Sequence, residues 1–215
     1  MIFVKSEQII NFFEKLNQSE INYILIRNIN SELPNSLIIG KDIDILVNKK
    51  DKKKFIEFMK NNNFVEIKHP FSQDKFLYNL DKFKMFKNDS NILIDVCFQL
   101  ANRSTNLGEW IPLHKNIQES SFKNKKFLKF GKLSCFCLSS EDELVILVSR
   151  SILDKKNFQD GYIKRIEYLL EKTNKIEVKY KLSLIFFKYA LVILQKLKNK
   201  EYSFIINNYI SFKEY

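Results

Sequence analysis

The chain has 215 residues, of which 45% are hydrophobic and 28% charged, with only four Gly. This composition predicts one large or two small globular domains and excludes a disordered protein. The formal net charge of +11 indicates phosphate-bearing partners such as nucleotides, nucleic acid or anionic lipid headgroups, without choosing among them.

Three features of the sequence bear on where the protein works. The cysteines are three, an odd number, and each stands in an apolar, strand-like context, which indicates reduced thiols in a cytoplasmic protein. The N-terminal apolar run ends too early for a signal peptide. The longest apolar stretch, residues 182–197, is interrupted by Lys188 and Gln195, so we expect a core helix there and no membrane span.

The first half of the chain mixes helices and strands. Ile9, Phe13 and Leu16 recur with helical spacing and predict a helix over residues 6–17, and a second helix is expected at 51–59. Short apolar runs bounded by turn residues predict strands at 22–27, 40–47, 64–68, 76–80, 83–86, 92–98, 126–130 and 133–138. Residues 101–121 have weak periodicity and are expected to form a loop with a short helix.

After residue 139 the pattern becomes helical. Ser140 with Glu143 three residues later is typical of a capping box. Apolar residues with helical spacing predict helices at 141–153, 158–172, 176–197 and 202–210. The expected fold class is therefore α+β, with a small mixed-sheet domain (1–139) followed by an all-helical domain (140–215).

Acidic residues interrupt two of the apolar strands. Asp42 and Asp44 alternate with Ile43, so both carboxylates lie on one face of their strand, with Cα atoms about 6.6 Å apart. Asp95 stands in a second strand among Ile, Leu and Val. Carboxylates that converge repel each other, and the usual remedy is a divalent cation. The alternatives are a solvated pair at a strand end and, for Asp95, a buried acid paired with Lys or Arg.

The order of helix, strand, loop, Asp-Ile-Asp strand, helix and later Asp-bearing strand resembles the nucleotidyltransferase superfamily of the polymerase-beta type. The resemblance covers residues 5–98, and a helical C-terminal domain is also typical of that group. It implies that Asp42, Asp44 and Asp95 are catalytic and hold Mg²⁺, with two ions expected, and that Asp95 acts as base toward the acceptor hydroxyl.

The chain differs from that family in the turn after the first strand. Where the family has Gly-Ser, this sequence has Arg27-Asn28, and it is similar to a bacterial branch found among surface-polysaccharide genes. The resemblance implies nucleotide contacts from Arg27, Asn28 and Lys155. The alternatives are an ordinary surface ion pair with an acid for Arg27 and helix-surface charge without a specific role for Lys155, and for Lys155 this alternative is preferred. It also implies transfer of NMP from an NTP, ATP included, to a hydroxyl or phosphate of a small-molecule acceptor.

Two other functions stay open at this point. A non-catalytic or antitoxin-type protein could keep the fold and bind a protein partner, as the lost Gly-Ser turn would suggest. A nucleic-acid-binding protein is suggested by the net charge alone, and the lysine-rich run at residues 49–54 has no interleaved aromatic side chains, which argues against it. His69 and His114 have no visible acid, Ser or Cys partner, so both are expected in loops or turns and serine-type hydrolysis has no support. The sequence says nothing about the oligomeric state.

Overall fold

A computed structural model describes residues 2–27, 32–104 and 108–211 of the chain. Its α-helices are α1 (Ser6–Gln18), α2 (Lys52–Asn61), α3 (Lys115–Lys123), α4 (Ser140–Leu153), α5 (Asp160–Lys172), α6 (Lys175–Phe186), α7 (Ala190–Lys198) and α8 (Tyr202–Ser211). Its strands are β1 (Tyr23–Leu25), β2 (Asp42–Val47), β3 (Val65–Ile67), β4 (Lys84–Lys87), β5 (Leu93–Cys97), β6 (Ala101–Arg103), β7 (Trp110–Pro112), β8 (Lys126–Phe130) and β9 (Leu133–Cys137). The predicted fold class is confirmed: the protein is mixed α/β, with a mixed sheet and a helical C-terminal region.

The chain forms two compact units, 1–100 with 122–138 and 101–121 with 139–215. The first contains the large sheet, and the second contains α4 to α8 together with the β6–β7 hairpin. Residues 101–121, which the sequence placed in the first domain, thus lie with the helices. One reason is that the backbone N–H of Arg103 donates a hydrogen bond of 2.7 Å to the carboxylate of Asp154. The division into domains at residue 139 stays a prediction.

Within the described residues, seven strands form one sheet in the order β3-β4-β5-β2-β1-β9-β8. Strand β2 pairs in parallel with β5 and antiparallel with β1, and β1 pairs in parallel with β9. The remaining pairs are antiparallel hairpins. The two acid-bearing strands of the sequence are therefore neighbours in the middle of the sheet.

Side-chain alternation in β2 and β5 separates an apolar face from a polar one. Ile43 and Ile45 on β2 are fully buried in one core with Phe13 of α1 and Phe55 of α2. Asp42 and Asp44 alternate with these isoleucines and lie on the opposite face. Two helices thus cover one side of the sheet, and the carboxylates lie on the other side.

Two predicted elements in the chain are wrong in detail. Residues 76–80 form no strand: Tyr78 and Asn79 lie in a turn with φ values of 54° and 56°, which are outside the range of extended backbone. The single helix predicted over 176–197 is broken into α6 and α7, because Phe187 has a φ of 49° and leaves the right-handed helical region. Helical periodicity continued through this break and gave no sign of it.

The start of α4 is shifted by one residue from the predicted capping box. Ser139 is the N-cap: its Oγ accepts a 3.2 Å hydrogen bond from the Asp142 N–H and donates one of 2.7 Å to Oδ2 of Asp142. Glu143 instead makes a two-point ion pair with Arg165, with both N–O distances at 2.6 Å.

No helix in the described part of the chain combines the length and the apolar run that crossing a bilayer requires.

Candidate functional site

The sheet brings together the three aspartates that the sequence singled out. Asp44 on β2 lies directly beside Asp95 on β5 in the parallel register, and Asp42 lies two residues before Asp44 on the same face. One carboxylate oxygen from each of the three residues can be chosen so that all lie within 4.8 Å of one another. The convergence predicted from two distant segments is therefore present in the fold.

The surroundings of the three carboxylates differ. Asp44 is 8% exposed, whereas Asp42 and Asp95 are half-buried at the edge of the same cluster. Three anionic groups this close repel each other, and burial weakens the screening by water. The cluster therefore favours a cation among the oxygens. Since carboxylates are the hard ligands that Mg²⁺ prefers, the donor set fits a divalent metal ion.

Arg27 supplies positive charge to this cluster. It follows β1, the strand that pairs with β2 on the side away from β5, and the N–H of Ile26 donates a 3.1 Å hydrogen bond to the carbonyl of Asp44. This pairing places the Arg27 side chain beside Asp44, where Nη2 makes an ion pair with Oδ1. The side chain is 18% exposed, so the contact is partly shielded from water. A predicted phosphate ligand and a predicted metal ligand therefore touch each other.

His69 is the residue of the site that the sequence did not reveal. It lies in the loop after β3, as expected, but its Nε2 is 3.3 Å from Oδ1 of Asp95. The acid partner that the sequence failed to show is thus a residue of the cluster itself. No spacing rule could have found the pair, since the two residues are 26 positions apart in the chain, with strand β4 between them.

Cys97 lies two residues after Asp95, on the same face of β5. Burial, and next the negative charge of Asp95, raise the pKa of its thiol to about 12, while Arg27 opposes this shift. Cys97 is therefore a neutral thiol at physiological pH. It adds no further negative charge to the three carboxylates.

For two of the predicted nucleotide-binding residues, the structure shows no place in the carboxylate cluster. Asn28 lies outside the described residues. Lys155 is exposed in the turn after α4, in the helical unit, where its backbone N–H donates a 3.0 Å hydrogen bond to the Arg150 carbonyl. Their roles in binding a nucleotide stay predictions.

The same cluster also has a purely structural interpretation, in which the acids are buried carboxylates held by cationic or hydrogen-bonding partners. Arg27 is bound to Asp44, and His69 is bound to Asp95, so two of the acids have partners of the kind that stabilise buried carboxylates. Asp142, in the helical unit, shows how such a purely structural acid looks. It is fully buried, accepts from Ser139 and is bound by Lys181 at 2.7 Å. The three-acid cluster differs because its carboxylates face one another.

No protein-family model matches the sequence, and no curated protein sequence matches it significantly. Solved structures do resemble it. The antibiotic-resistance factor ANT(2'')-Ia is 9% identical with a TM-score of 0.52, over 89% of this chain and 98% of that one. An antigenic nucleotidyltransferase-like protein from Paracoccidioides brasiliensis is 14% identical with a TM-score of 0.53, over 94% of this chain and 91% of that one. At sequence identities this low, the similarity is evidence for a shared fold and not for a shared activity. The chain has the nucleotidyltransferase fold.

Proposed function

We propose that the protein is a Mg²⁺-dependent nucleotidyltransferase that moves NMP from an NTP to a hydroxyl or phosphate of a small-molecule acceptor. The observation that carries the proposal is the convergence of Asp42, Asp44 and Asp95 within 4.8 Å on a nucleotidyltransferase fold. Structural ion pairing alone requires no such convergence of like charges. We place the reaction in the cytoplasm, and an acceptor from surface-polysaccharide synthesis is the class that the resemblance suggests.

The three carboxylates would hold Mg²⁺, with two ions expected, and the metal would neutralise charge on the α-phosphate and on the leaving group. Asp95 would accept the proton of the acceptor hydroxyl as that oxygen forms its bond to the α-phosphorus. The bond between the α-phosphorus and the bridging oxygen then breaks, and pyrophosphate leaves with the electron pair. Asp42 and Asp44 would act on the triphosphate through the Mg²⁺ that they hold, since carboxylates and phosphates repel each other in direct contact.

Arg27 would compensate for the missing Gly-Ser turn, which in the family offers backbone N–H groups to the phosphates. A guanidinium carries five N–H donors, so its pairing with Asp44 is compatible with a phosphate contact. Anchoring by Asp44 would also limit the side-chain entropy lost when the nucleotide binds. Asn28 and Lys155 are proposed as further contacts to the nucleotide.

The Arg27–Asp44 ion pair also favours a second candidate function. If the guanidinium itself supplies the positive charge that the cluster favours, the carboxylates need no metal ion to lie together. The protein would then be a non-catalytic member of the fold that binds a protein partner. Metal binding by the wild-type chain separates the two candidates, since only the enzyme needs the cation.

The test is label transfer from each α-labelled NTP with Mg²⁺, using small molecules from a cell extract as acceptors. Wild type should transfer label, and Asp44→Asn should lose at least 100-fold of the rate, about 2.7 kcal/mol of barrier. Asp89→Asn makes the same change at an exposed turn residue and should behave as wild type. Equal transfer by wild type and Asp44→Asn would refute the assignment of the carboxylates.

A further inference from the structure

We propose that His69 is a positioning residue that holds the Asp95 carboxylate in place for metal binding, an inference that rests on the proposed function. The imidazole Nε2 lies 3.3 Å from Oδ1 of Asp95, toward the long end of hydrogen-bond distances. Asp95 is the residue proposed as the base. Its backbone is fixed beside Asp44 by strand pairing, but its carboxylate can still rotate about the side-chain bonds. A contact that fixes this side chain therefore bears directly on the site.

The direction of the hydrogen bond follows from the other ring nitrogen. The backbone N–H of Phe71 donates to Nδ1 of His69 at 3.0 Å, so Nδ1 must carry a lone pair. The single proton of the neutral imidazole is then on Nε2, which points at Asp95. His69 is thus a donor to the carboxylate and leaves the second oxygen, Oδ2, for the metal.

The imidazole is itself held firmly. His69 is 5% exposed, and its ring packs against those of Phe71 and Phe83, with centroids 5.3 Å and 5.6 Å away. Phe83 is supported in turn by Phe76 at 5.0 Å. Since the surrounding rings and the Phe71 N–H fix the orientation of the imidazole, the donor at Nε2 is in place before any ligand binds.

A fixed donor is needed here because the acids repel each other. Asp95 faces Asp44 across the parallel register, and a side chain with no other contact would rotate its charge away from Asp42 and Asp44. The hydrogen bond from His69 opposes that rotation. Residues that orient a metal ligand in this way typically change metal affinity or activity about 10- to 100-fold when they are replaced.

The experiment measures binding of Mn²⁺ alone, by calorimetry or electron paramagnetic resonance, to the full chain. His69→Leu removes the donor and should weaken Mn²⁺ binding about 10-fold or more. His69→Gln places an amide N–H near the position of Nε2 and should restore most of the affinity, whereas the shorter His69→Asn should not. His114→Leu removes the other, exposed histidine and should have no effect.

The outcomes separate this inference from the proposed function. If wild type binds Mn²⁺ and both His69→Leu and His69→Asn bind it equally well, the positioning role is refuted and the metal site stands. If wild type binds no Mn²⁺, the proposed function fails and takes this role with it. Should His69→Leu not fold, as judged by circular dichroism, the comparison of Gln with Asn decides, and equal affinities for those two variants would overturn the proposal.

Discussion

Replacing Asp42 with Asn removes one charge from the carboxylate cluster at little change in side-chain size. Asp42 is chosen because it is the first residue of β2 and is less buried than Asp44, so the strand accommodates an amide there most easily. At 4.8 Å, the upper limit of the separations between the converging oxygens, two unit charges repel by about 0.9 kcal/mol in water and about 3.5 kcal/mol at an effective dielectric constant of 20.

Asp42→Asn removes two such repulsions, those with Asp44 and Asp95. Arg27 already offsets part of the charge, so we expect a net stabilisation of the metal-free protein of about 1 kcal/mol. For a chain of this length that corresponds to a melting temperature about 2 to 4 °C higher than wild type. Asp89→Asn, at an exposed turn residue, should leave the melting temperature unchanged.

Added Mg²⁺ should reverse the order of stability. At ten times its dissociation constant, an ion that binds only the folded state stabilises it by about 1.4 kcal/mol, which raises the melting temperature by about 3 to 6 °C. Wild type and Asp89→Asn should show this rise, and Asp42→Asn should not. Differential scanning fluorimetry over a Mg²⁺ titration measures both effects. A metal-free Asp42→Asn that melts several degrees below wild type, with an unchanged Mg²⁺ response, would refute the reasoning.

Three further predictions test other parts of the structure. Arg27→Gln removes the charge that pairs with Asp44 and should raise the KM for NTP about 10-fold in steady-state assays, the value of one charged contact; an unchanged KM would exclude the phosphate role. Lys181→Met leaves Asp142 charged and buried, so it should cost about 3 to 5 kcal/mol in urea unfolding, and adding Asp142→Asn should recover part of this loss. Cys135 is buried, and its hydrogen bond with the Cys137 thiol, followed by burial, raises the pKa of Cys135 well above its usual range. Neither thiol of that pair should react with a disulfide reagent at pH 8 until the protein is denatured, and fast labelling of the native chain would contradict this.

Local patterns were sufficient to predict most of the elements and the acids of the site. Alternation along residues 42–47 already placed Asp42 and Asp44 on one face, since side chains in any strand point to opposite sides in turn. Helical periodicity located most helices to within a few residues. It failed at Phe187, where the break depends on one backbone torsion angle that no apolar pattern records.

The contacts that orient the site were decided only by the tertiary structure. The sequence was sufficient to place Asp42, Asp44 and Asp95 in strands, because a local run of apolar residues predicts a strand without knowledge of its neighbours in the sheet. That Asp44 and Asp95 are direct neighbours depends on the pairing of β2 with β5, which is a long-range choice of register. The pairing of β3 and β4 within the sheet likewise brings His69 to Asp95. His69 lies in the loop between these two strands, and the strands that a loop joins determine its position.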